Sequence, residues 1–82
     1  MNFSTFVLSL HASAAMHMGL VADPETGKPL PVHLPMAQQT IDILSMMEQK
    51  TKGNLSQEEE RLLGGVLYEL RMLFIEQRKK HG

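Results

Sequence analysis

The chain has 82 residues, neither cysteine nor tryptophan, and 8 basic against 9 acidic residues. That balance excludes a strong field for nucleic acid or anionic lipid, and the missing cysteine excludes disulfides, thiolate metal sites and cysteine nucleophiles. The length allows one domain, and so short a chain buries only about 60% of its unfolded surface, which leaves a partner subunit as the available staple.

The first element expected is a helix over 4–18. Ser4 is the candidate N-cap and Gly19 the residue beyond the C-cap. On a helical wheel Phe3, Phe6, Val7, Leu10, Ala14 and Met18 share one arc, and Leu8, Ala12, Ala15 and Met16 form a second apolar strip behind it. A helix apolar nearly all round is a buried one. The same segment is a poor export signal. It has no Lys or Arg before Leu10, and its apolar run stops at Ser9. The chain contains no run of the about 20 apolar residues that a membrane span needs. A cytoplasmic protein of bacterial type, with no membrane association, is expected.

Residues 19–34 read as a connection. Asp23-Pro24-Glu25-Thr26-Gly27 has β-turn chemistry, with Pro second and Gly closing. Pro29, Pro31 and Pro35 keep the next stretch extended. A connection this long is usually functional or packed across a neighbour. Thr26-Gly27-Lys28 is no phosphate loop, because the earlier glycine and the following Ser or Thr are missing.

A second helix is expected over 35–52, with Pro35 in its first turn. Met36, Ala37, Ile41, Ile43, Leu44 and Met47 make its apolar face. Gly53-Asn54 stops it after Lys50 and Lys52, whose charge suits a helix C-terminus. The third helix is expected over 56–80, leaving 81–82 as a flexible tail. Ser56-Gln57-Glu58-Glu59 is a capping box. Glu58 to Glu60 complement the positive end of its dipole, and Arg78 to Lys80 the negative end. Leu62, Leu63, Val66, Leu67, Leu70, Leu73 and Phe74 form its core stripe. The short link makes helices two and three an antiparallel hairpin.

The back of the third helix is unusual. Tyr68, Met72 and Ile75 line its outer side, with Gly64 and Gly65 one turn earlier. A glycine within a helix costs about 0.5–1 kcal/mol relative to alanine, so two in succession suit close approach by another backbone. The alternatives are a kink, or surface that tolerates glycine.

Chemistry finds little support. His11 and His17 are about 120° apart on a helix and share no face; zinc-type pairs want i, i+4 spacing. Met16 and Met18 are softer ligands that suit copper(I), yet they too diverge. The plain reading of HASAAMHMG is packing surface, with His17 partly buried and His11 on a helix edge. His33 and His81 are expected in solvent. No serine has a neighbouring base in a recognisable motif. No enzymatic activity, cofactor or catalytic residue is expected. Arg78-Lys79-Lys80-His81 offers a short phosphate-binding patch that nothing else in the chain extends.

MNFSTFVLSL at the start, Pro24-Glu25-Thr26-Gly27, QQTIDILSMMEQKTKGNLSQEEERLL across the second and third helices, and LYELRMLFIE after them carry a resemblance. Over residues 1–76 the chain resembles a family of small bacterial proteins catalogued as domain of unknown function eighteen forty-four. The resemblance implies a small α-helical protein and supplies no catalytic or binding residue. Met16, His17 and Met18 match no fixed pattern in it, and the basic tail lies beyond it.

The resulting expectation is an all-α, three-helix protein completed by dimerisation. It is a self-associating protein–protein interaction module, with a further protein partner possible. The interface residues expected are Leu8, Ala12, Ala15, Met16, Gly64, Gly65, Tyr68, Met72 and Ile75. Two alternatives stand beside it. One is a copper or zinc carrier using His11, Met16, His17 and Met18. The other is a nucleic-acid accessory using the basic tail.

Overall fold

Asn2, rather than Ser4, starts the first helix. A computed structural model of the chain describes residues 2–28 and 30–81, in which α1 spans Phe3–His17, α2 Leu34–Lys50 and α3 Gln57–His81. Asn2 is extended (φ −122°, ψ 175°), and its side-chain oxygen accepts the Thr5 N–H at 2.8 Å. Asn and Ser are near-equal caps, so packing decides between them: starting at Asn2 makes Phe3 helical and sets it against the core. Ser4 is an ordinary half-buried residue of the first turn.

The end of α1 is a complete Schellman motif. Gly19 (φ +74°) donates to the Met16 carbonyl and Leu20 to that of Ala15, both at 3.0 Å. The expected β-turn is one residue wider. Gly27 donates to the Asp23 carbonyl, and the Asp23 carboxylate accepts the Glu25 N–H, each at 2.8 Å. The Asp23 side chain thus supplies the local bond that selects the wider turn. Pro29, expected extended, and Gly82, expected as tail, lie outside the described residues; His81 is the last residue of α3 and not tail.

His33 caps α2: its Nδ1 accepts the Met36 N–H at 3.3 Å, and Pro35 occupies the first turn. Thr51 closes that helix, its N–H and hydroxyl both donating to the Met47 carbonyl, at 2.9 and 2.6 Å. The capping box at α3 forms as expected. The Ser56 hydroxyl accepts the Glu59 N–H at 3.2 Å, and the Glu59 carboxylate accepts the Ser56 N–H at 2.9 Å.

Each helix packs on both others. The short 51–56 link turns α3 back along α2 as a hairpin. The 18–33 connection returns α2 along α1, so α1 and α3 run in the same direction. The core between them is Val7 and Ala14 from α1 and Met18 at its C-cap, Ala37, Ile41 and Leu44 from α2, and Leu63, Val66, Leu67 and Leu70 from α3. α3 has 25 residues, about 37 Å of helix, against 15 in α1 and 17 in α2. It therefore outreaches both neighbours. The bundle is correspondingly flat, 40 × 28 × 15 Å, with a radius of gyration of 13.4 Å where about 12 Å is usual for this length.

Candidate functional site

The side of α3 away from the core carries a regular row. Glu58, Arg61, Gly65, Tyr68, Met72, Ile75 and Lys79 are all exposed, and their spacing alternates three and four. That is a mean of 3.5 residues, the repeat of a coiled-coil seam. Its apolar centre lies bare: Tyr68 is 69% exposed, Met72 48% and Ile75 50%. The core row behind it, Leu63, Val66, Leu67, Leu70 and Gln77, is buried in the subunit. The exposed row is thus a second, separate face of one helix.

Gly64 and Gly65 leave the α3 backbone open beside this row. A Cβ built on either would meet nothing within 4 Å. The subunit's own packing therefore does not require these glycines, and α3 runs through them unbroken. Across a shallow groove stands Leu8 of α1, 50% exposed. Leu8, His11, Arg61, Gly65 and Glu69 surround a hollow of about 350 Å³ in that groove. His11 Nε2 and Glu69 Oε1, 3.1 Å apart, brace its wall between α1 and α3. Glu69 is exposed and His11 half-buried, and such surface pairs are worth about 0–1 kcal/mol.

The expected interface residues fall unevenly. Leu8, Ala12, Met16, Gly65, Tyr68, Met72 and Ile75 are exposed and Gly64 is half-buried. Ala15 departs from expectation. It is buried within the subunit, because the α1 arc that packs on α2 and α3 is wide enough to take in both Ala14 and Ala15. Phe6, placed by the wheel on the packed arc, is 41% exposed. Reading the outer row from sequence missed Glu58, Arg61 and Lys79. Extending the three-four spacing of Tyr68, Met72 and Ile75 in both directions finds all of them.

The His/Met segment does not converge. His11 turns to Glu69, Met18 enters the core and Met16 points to solvent. His17 instead lies beside His33, which is exposed as expected. Their rings are 6.5 Å apart in an edge-on arrangement, and His17 Nδ1 is buried without a hydrogen-bond partner. The return of the long connection to α1 brings the two together. Among the described residues no three His, Asp or Glu side chains gather where a cation would be held. The basic residues 78–81 are exposed at the free end of α3. Among the described residues no helix is long and apolar enough to cross a membrane.

A family model described as a domain of unknown function (DUF1844) matches residues 1–76. The chain belongs to that family. The matched span holds α1, α2 and α3 as far as Glu76, so the bare row through Ile75 lies within the family domain and the basic end beyond it. No curated protein and no solved structure matches the chain.

Proposed function

We propose that the protein acts by association: it is a non-catalytic helical module that pairs with a second copy through the outer face of α3 and the adjoining edge of α1. The observation that carries this reading is the uncovered row Tyr68, Met72 and Ile75 beside two glycines that nothing in the subunit requires. Area supports it. The subunit exposes 5734 Å² at 9.2 kDa, where a compact monomer of that mass exposes about 4,900 Å². The surplus comes from the flat shape of the bundle, which leaves one broad side large enough for the about 800 Å² per partner of a standard interface. Self-pairing is the commonest closed assembly and needs no second gene product. Sedimentation equilibrium or light scattering tests the proposal. A mass of twice 9.2 kDa is the expected result. A single-subunit mass up to several hundred micromolar overturns it.

One observation favours a second reading, soft-metal binding. His17 Nδ1 is buried and unpartnered with the His33 ring beside it. Two imidazoles suit copper(I) or zinc rather than a hard cation, and metal binding by His33 through Nδ1 would require that atom to give up the Met36 N–H that it caps. Calorimetric titration with each ion decides this reading, which fails if no binding tighter than micromolar is found.

A further inference from the structure

Resting on the self-association proposed above, we infer how the two copies meet: their α3 helices pack antiparallel about a twofold axis beside Tyr68. Three independent features of α3 converge on this geometry.

The first is the seam itself. A 3.5-residue repeat keeps one face of a helix against a partner helix over its whole length, with axes crossing at about 20°. The seven seam positions run from Glu58 to Lys79, with Tyr68 at the middle. Folding this row onto its own reverse brings Glu58 opposite Lys79, Arg61 opposite Ile75 and Gly65 opposite Met72. Tyr68 then meets its own copy at the axis. Every seam position finds an occupied counterpart.

The second is charge. The first turn of α3 holds Glu58, Glu59 and Glu60, and the last holds Arg78, Lys79, Lys80 and His81. Antiparallel pairing sets the acidic turn of each copy beside the basic turn of the other, at both ends. Parallel pairing would instead set Glu58 against Glu58 and Lys79 against Lys79 on the seam, like charge facing like charge at both ends. The helix dipoles favour the antiparallel choice as well.

The third is shape. Gly65 is the floor of the hollow between Leu8, Arg61 and Glu69. The antiparallel register directs Met72 of the second copy into that hollow, and the same contact recurs on the other side of the axis. An unbranched, polarisable side chain is well suited to so shallow a socket. The glycine leaves room for the incoming side chain, which explains a residue that the lone subunit does not need. A parallel register would instead set Gly65 against Gly65 and leave both hollows empty.

The absence of native cysteine makes the test direct. Glu58→Cys and Lys79→Cys are exposed single substitutions, and each introduces the only thiol in its chain. A disulfide needs Cα atoms within about 7 Å. Mixed in equal amounts and oxidised, the two variants are expected to crosslink to each other. Neither is expected to crosslink alone. Crosslinking of either variant to itself shows parallel pairing and overturns the inference. A dimeric mass without any crosslink, measured on the same samples, places the contact on another face; it overturns the geometry and leaves self-association standing. A monomeric mass overturns both.

Discussion

The backbone N–H of His33 donates to the carbonyl of His17 at 2.6 Å, joining the last residue of α1 to the cap of α2. The long connection between them is therefore a closed excursion and not a free strap. Gly19 and Val32 meet just inside that tie, and a Cβ on Gly19 would stand 2.8 Å from Val32 Cγ2.

Gly19→Ala is thus expected to destabilise the fold on two counts. The positive φ disfavours any Cβ, and the returning loop leaves no space for one. A loss of about 1–3 kcal/mol follows, read as a lower urea midpoint with unchanged slope. Wild-type stability would show that the loop does not return to α1.

The two serines at helix starts separate sharply. Ser56→Ala removes one arm of the capping box and should cost about 1 kcal/mol. Ser4→Ala should be close to neutral, because Asn2 holds the cap and Asn2→Ala bears the loss of about 1 kcal/mol instead. Thermal unfolding of the three variants gives the order.

Leu44 is fully buried at the meeting of the three helices. Leu44→Ala is expected to cost about 2–5 kcal/mol. For a domain of this size, where total stability is about 4–12 kcal/mol, that is a large fraction. Urea unfolding followed by circular dichroism measures it. A change below 1 kcal/mol (about a quarter of the smallest expected total) would mean that the core is arranged differently.

Gly65 distinguishes the subunit from the assembly. A Cβ there meets nothing in the subunit, so Gly65→Ala should stabilise isolated α3 by about 0.5–1 kcal/mol. Under the pairing proposed above, Gly65→Leu should keep the helical signal and still abolish the dimer, since it would fill the hollow that the second copy's Met72 is proposed to enter. Met72→Glu should do the same by placing a carboxylate there. Mass and ellipticity measured together test both. A Gly65→Leu protein that stays dimeric would show that the backbone is not approached at that point.

Much of this molecule was legible locally. The capping box, the apolar stripe of α3 and the hairpin with α2 follow from neighbours a few residues apart, where side-chain caps and helical period act directly; α2 ends two residues before the expected Lys52 because Thr51 caps it through the Met47 carbonyl. The bare row on α3 was legible for the same reason: Tyr68, Met72 and Ile75 share a face through helical geometry alone. Other features depended on where distant segments came to rest. Asn2 displaced Ser4 as a cap because Phe3 packs on the core. Ala15 went inside because α1 sits between two helices, and His33, exposed as expected, gained a neighbour in His17 because the connection returned to α1. No local period encodes those outcomes. They are set when the three helices find one another, since burial belongs to the whole arrangement and not to any one stretch of chain.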